Sequence, residues 1–252
     1  MKKVFLILLV LFSSTLQVKA EIIHAERGGA SIATGLVKVK ELAYETSLFN
    51  YVDEFDGDKS WSFLLGSSKF RYGLLDRFEL RLTNSGLLVN DDVAGFDNLG
   101  LGFKLALLEE EHGLLPALNL VTDFQIPIGR KELRNPGFDH SYLFLASHKI
   151  TDRLTALMNM GLAFNSIRAD ATTVDIPYVF NLNYALSDKL VVFTDTYGQW
   201  GLSSLSPSPL SQDIGVNYAI TDDFISTLSL NLGLNETAPA FGLDLGMVLR
   251  LF

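Results

Sequence analysis

Apolar residues take every second place along most of this chain. Leu99, Leu101, Phe103, Leu105 and Leu107 alternate with Asn98, Gly100, Gly102, Lys104 and Ala106. Val174, Ile176, Tyr178, Phe180, Leu182, Tyr184 and Leu186 alternate with Asp175, Pro177, Val179, Asn181, Asn183 and Ala185. Phe241, Leu243, Leu245, Met247, Leu249 and Leu251 do the same against Gly242, Asp244, Gly246, Val248 and Arg250. Successive side chains of a strand point to opposite faces, so each segment has one oily face and one face of Asn, Asp, Gly and Ser. The pattern predicts twelve strands: 37–52, 60–72, 77–88, 98–108, 115–128, 140–150, 153–165, 174–186, 189–199, 209–220, 223–234 and 240–252. Two of these, 140–150 and 189–199, alternate poorly and rest partly on turn spacing.

The turns repeat. Leu75-Asp76-Arg77-Phe78, Thr151-Asp152-Arg153-Leu154, Ser187-Asp188-Lys189-Leu190 and Thr221-Asp222-Asp223-Phe224 are variants of one polar corner, and Glu110-Glu111-His112-Gly113 fills the gap in the series. The step is 36, 40, 36 and 34 residues from Asp76 through His112, Asp152 and Asp188 to Asp222. Between the corners lie longer Gly-, Pro- and Asp-rich stretches: Asp53–Lys59, Val89–Asp97, Gly129–Asp139, Ser166–Thr173, Trp200–Ser208 and Asn235–Pro239. Short turns on one rim and longer loops on the other, with strands long enough to cross a bilayer, predict a transmembrane up-and-down antiparallel β-barrel of about 12 strands. An even count puts both chain ends on the short-turn rim.

Composition sharpens this. The chain is 48% hydrophobic, yet past the first residues no apolar run approaches the eighteen that a membrane helix needs. Met1-Lys2-Lys3, the apolar run Val4–Phe12 and Val18-Lys19-Ala20 read as a signal peptide over 1–20. An N-terminal segment over 21–36 and a barrel over 37–252 follow. Removing Lys2, Lys3 and Lys19 takes the formal charge from −9 to −12. That balance excludes nucleic acid as a partner, which needs a basic face. With zero cysteines no disulfide or thiolate–metal site exists.

The oily face is expected to meet outer-membrane lipids. A soluble barrel would carry Lys and Glu outside, whereas the minor face here is Asn, Asp, Ser, Gly and Thr. Phe252, ending the final strand, resembles the terminal aromatic through which bacterial barrels reach the barrel assembly machinery, although the alternation of Leu251, Leu249 and Met247 runs out of phase with it.

Three stretches carry a closer resemblance: Arg71-Tyr72-Gly73-Leu74-Leu75-Asp76-Arg77-Phe78-Glu79-Leu80-Arg81, Gly95–Lys104 and Tyr184–Leu190. They resemble the bacterial family named for a MetA-pathway of phenol degradation. The resemblance implies an outer-membrane barrel described as a transporter, with no catalytic motif and no cofactor. Its name implies phenolic or aromatic solutes.

The lumen is the candidate site. Its expected lining is Glu79, Arg81, Lys104, Asp123, Asp175, Asn181, Asn183, Asp195, Asp213, Asn217, Asn231, Asp244 and Arg250. Six acids against three bases predict a mild preference for cations or neutral polar solutes. No metal-ligand spacing is present, and His140-Ser141, the one tight His/Ser pair, points to opposite faces of a strand. A channel for small solutes is the leading expectation. A structural or surface-interaction barrel is the second, and a lipid hydrolase the third.

Overall fold

The structure, a computed structural model, describes residues 25–26, 29–55, 58–89, 93–110, 115–168, 170–203, 205 and 207–252. The signal-peptide expectation over 1–20, His24 and the His112 corner lie outside the described residues. The strands are β1 (Leu42–Phe55), β2 (Asp58–Leu75), β3 (Phe78–Asn84), β4 (Leu87–Val89), β5 (Ala94–Gly95), β6 (Leu99–Leu108), β7 (Ala117–Ile126), β8 (Asp139–Lys149), β9 (Leu154–Arg168), β10 (Ala171–Ala185), β11 (Leu190–Gly201), β12 (Leu210–Thr221), β13 (Phe224–Gly233) and β14 (Phe241–Arg250). Each long strand pairs antiparallel with its chain neighbour, and β1 pairs with both β2 and β14. Twelve strands therefore close on themselves, while β4 and β5 extend the sheet above β3. Closure leaves no edge to satisfy in hydrocarbon.

Polarity is inverted relative to a water-soluble fold. On β13, Leu228, Leu230 and Leu232 are 44%, 45% and 43% exposed, while Thr227, Ser229 and Asn231 between them are 4%, 8% and 5% exposed. The oily face looks outward and the polar face inward, as the alternation predicts. Phe124, Phe138, His140, Tyr142 and Phe164 form an aromatic patch on the outer face, with His140 stacked on Phe164 at 4.6 Å.

The polar corners have a local cause. Thr151 Oγ1 accepts hydrogen bonds from the backbone N–H of Arg153 (3.3 Å) and Leu154 (3.0 Å), and Ser187 Oγ does so from Lys189 (3.3 Å) and Leu190 (3.1 Å). The N–H of Asp223 reaches Thr221 Oγ1 at 3.3 Å. The hydroxyl stands in for a missing backbone partner, which is why Thr or Ser recurs there. Both strand ends of the closure meet on this rim: Leu42 N–H donates to the Phe252 carbonyl and Leu251 N–H to the Leu42 carbonyl, each at 2.8 Å.

The structure corrects several boundaries. Asp53–Lys59 is no long loop, because β1 and β2 stay in register out to Phe55 and Asp58. Ser166–Thr173 is likewise a tight connection, with Arg168 opposite Ala171. The expected strand 77–88 breaks after Asn84, where Gly86 takes φ +88°. The strands expected at 140–150 and 189–199 form at 139–149 and 190–201. The barrel begins at Leu42 rather than at residue 37, because residues 37–41 continue the N-terminal segment. In β2 a bulge at Gly66 (φ +66°) skips one residue of register, so Phe63 and Leu65 face out while Lys69 and Arg71 face in.

Candidate functional site: a polar lumen and its internal segment

The N-terminal segment lies inside the barrel, and the inward polar residues hold it. Val37 N–H donates to Glu79 Oε2 at 2.9 Å. Lys104 Nζ donates to the Ala33 carbonyl at 2.7 Å and the Gly35 carbonyl at 2.5 Å, and Arg71 Nη2 to the Gly35 carbonyl at 3.0 Å. Asn119 Nδ2 reaches the Thr34 carbonyl at 2.6 Å, and the Thr34 and Ser147 hydroxyls lie 2.6 Å apart. Asn159 both accepts from Ile32 N–H (2.7 Å) and donates to its carbonyl (3.0 Å). Asp195 Oδ2 accepts from Ala30 N–H (2.8 Å) and Ser31 N–H (3.3 Å). These partners come from seven strands, β2, β3, β6, β7, β8, β9 and β11.

Glu26 is the charged anchor. Its carboxylate meets Arg81 at 2.7 Å, Lys104 at 2.7 Å, Lys69 at 3.2 Å and Arg71 at 3.4 Å. Burial alone pushes this carboxyl up; the surrounding Arg71, Arg81, Lys104 and Lys69 outweigh it and hold it well below the usual carboxylate range. Arg71 also binds Glu79 (2.8 Å) and Glu45 (2.9 Å). Arg71, Lys104, Glu45 and Glu79 are wholly inaccessible to solvent. Below this network Val37, Ala43, Ala219, Ile225 and Val248 make a small apolar cluster towards the short-turn rim, with Ala25 against it.

The far wall is built differently. Asn181, Asp195, Asp213 and Asn231 are register partners across β10, β11, β12 and β13. Asn181 donates to Asp195, and Asn231 to Asp213 at 2.8 Å and to the Tyr197 hydroxyl. Two carboxylates directly opposite on one face repel unless other groups bind them; here the amides on either side and the segment's N–H groups do so. In the strand order β11 and β12 lie across the barrel from β3 and β6. The lumen therefore has a mixed, base-rich wall facing an acidic one.

The predicted residues divide accordingly. Glu79, Arg81 and Lys104 join the Glu26 network. Asp195, Asn181, Asp213 and Asn231 form the acidic row. Asp123 accepts from Gln125, and Asp175 from Asn165 at 2.7 Å. Asn183, Asn217 and Asp244 are partly buried along the same inward faces. Arg250 is placed at the short-turn rim rather than in the lumen, 3.6 Å from Glu41 and 3.3 Å from Asp223. Among the described residues Asn181 Oδ1, Asn217 Oδ1 and Asp175 Oδ1 make no hydrogen bond.

Sequence reasoning missed Glu26, Glu45, Lys69, Arg71 and the buried Asp139, whose Oδ1 accepts from Ser166 N–H at 2.7 Å. A signal existed for four of them: Lys69 and Arg71 alternate with Phe70 and Tyr72, Glu45 follows Tyr44 and Asp139 opens β8. Nothing local marks Glu26, whose carboxylate partners lie 43 to 78 residues away. His148 sits near the short-turn rim with Nδ1 3.4 Å from Glu110.

The family profile described as "Putative MetA-pathway of phenol degradation" matches residues 25–251. The chain belongs to this family. The match includes Glu26 and the segment inside the lumen as well as the barrel. Among solved structures, an outer membrane channel from Pseudomonas putida F1 superposes with a TM-score of 0.64 at 13% identity, covering 85% of this chain and 97% of that one. The translocator domain of the autotransporter NalP from Neisseria meningitidis gives 0.53 at 12% identity, covering 84% and 88%. At these identities the likeness is one of fold. No curated protein sequence matches the chain.

Proposed function

We propose that this family member is an outer-membrane channel that passes small solutes through its polar lumen, without a catalytic step. One observation carries the reading: an oily exterior as tall as the strands encloses an interior lined by Asp, Asn, Glu, Arg and Lys. A barrel that only filled itself could use apolar side chains inside; polar lining is what a hydrated path needs. The likeness to the Pseudomonas putida channel and the family's phenol-degradation name support transport, with phenolic or aromatic molecules among the solutes to try. Phe252, at the seam of the closure, serves as the handle for the barrel assembly machinery. The occupied lumen favours a second reading, a barrel with a structural or surface-binding role.

Single-channel recording of the purified protein in planar bilayers separates the two. The channel reading expects stepwise conductance, with cations favoured because the inward acids outnumber the bases. Anion preference would refute the charge argument. Silence from the full chain, and also from a variant whose segment is unfastened, would refute the channel and leave the structural barrel. Liposome swelling with sugars, amino acids and aromatic acids then ranks the solutes.

A further inference from the structure

The lumen holds the N-terminal segment mainly through its main chain. Asp195, Asn159, Asn119, Lys104, Arg71 and Glu79 bind peptide N–H and C=O groups of residues 30–37. Such contacts are indifferent to side-chain identity and would fit any extended peptide. Apart from the Thr34 hydroxyl on Ser147, the side chain that matters is Glu26, whose carboxylate takes Arg81, Lys104, Lys69 and Arg71 together. Across the barrel Asp195 takes N–H donors. One wall thus accepts a carboxylate and the opposite wall accepts N–H groups.

We infer that the pocket of Lys69, Arg71, Arg81 and Lys104 is a carboxylate-binding site for amino acids and short peptides, and that Glu26 occupies it in cis. The inference rests on the channel reading and adds the solute class. Four bases converging on one carboxylate exceed what fastening a segment requires, and Glu45 and Glu79 neutralise only part of them once Glu26 leaves. A solute bearing a carboxylate and N–H donors reproduces both ends of the segment's grip. By competing for the pocket it unfastens the segment and opens its own path. Two charged groups on facing walls also orient a zwitterion along one diameter, which a neutral or singly charged solute does not exploit.

The test separates binding from conduction. Glu26→Ala and the near-isosteric Glu26→Gln are refolded in detergent and melted in the presence of propionate, propionamide or glycylglycine. Propionate has the chemistry of the missing side chain. The expected result is that propionate raises the melting temperature of Glu26→Ala, propionamide leaves it unchanged, and glycylglycine acts at lower concentration than propionate. Equal responses to propionate and propionamide would overturn the site. Glycylglycine no better than propionate would overturn the peptide assignment.

Should neither variant fold, the full chain carrying Thr34→Cys and Ser147→Cys replaces them. The two hydroxyls lie 2.6 Å apart and the chain has no other thiol, so oxidation ties the segment to β8. In liposome swelling, glycylglycine uptake is then expected to fall several-fold on oxidation and return on reduction. Uptake indifferent to the cross-link overturns the proposal. Absence of uptake and conductance in every form, with propionate binding intact, would instead sink the channel reading alone.

Discussion

Leu230→Arg tests the assignment on which the fold rests. Leu230 is 45% exposed on the outer face of β13, and its register partners Ile214 and Leu243 are 57% and 40% exposed beside it. It stands between the centre of Phe224–Gly233 and the loop-side end. At about 3.4 Å per residue it lies roughly 5 Å past the midpoint, or about 4 Å of depth once strand tilt is included. The apolar band of such barrels is about 25 Å tall, so the new guanidinium remains well inside it. An arginine at the midplane costs about 2–4 kcal/mol and almost nothing near the interfaces, so about 2–3 kcal/mol is expected here. That lowers the folding equilibrium constant roughly 30- to 150-fold. Asn217→Arg, on the inward face of the adjacent strand, keeps its charge out of hydrocarbon and should cost clearly less than Leu230→Arg. The assay is reversible refolding into lipid vesicles across a denaturant series, read by tryptophan fluorescence and by gel mobility without heating. Equal penalties at the two positions would refute the inside-out assignment.

Two further outcomes concern the segment in the lumen. A side chain at Gly73 meets backbone: its Cβ would lie 2.0 Å from the Lys38 carbonyl oxygen and 2.5 Å from that of Val37. Gly73→Val should therefore push the segment off β2 while the barrel still closes, raising both protease cleavage near residues 30–40 and open-channel current; a segment as protected as in the parent chain would contradict this. The Glu26 carboxyl is held below its ordinary value of 4.5, and a depressed acid stabilises the folded state above its unfolded pKa and loses that contribution as pH falls through the folded one. Protection of the segment should hold from pH 7 to about pH 5 and weaken below about pH 4.5 as Glu26 takes up a proton, the contacts of Asn119 and Asn159 remaining. Release already at pH 6 would mean that Glu26 is not the charged anchor.

Much of this protein is decided locally. Period-two alternation sets which side chain faces lipid, because a strand's geometry leaves no other choice. Thr and Ser at the corners cap their own turns within three residues. Those two facts supply the barrel, its inward face and its short-turn rim. They also place Glu79, Lys104, Asp195 and Asp213 inside. What they do not supply is who meets whom across the bore. Glu26 has no periodic neighbourhood, and its meaning appears only when closure brings β2, β3 and β6 around it. Asp195 and Asp213 read as two equivalent lumen acids, yet one receives the segment's N–H groups and the other an amide from the next strand. Arg250 shares the inward phase of Asp244 but stands at the rim, where Asp223 and Glu41 claim it. Facing is a property of consecutive residues and survives in one dimension. Pairing depends on register, bulges and the curvature of a closed sheet, and those exist only once all twelve strands have met.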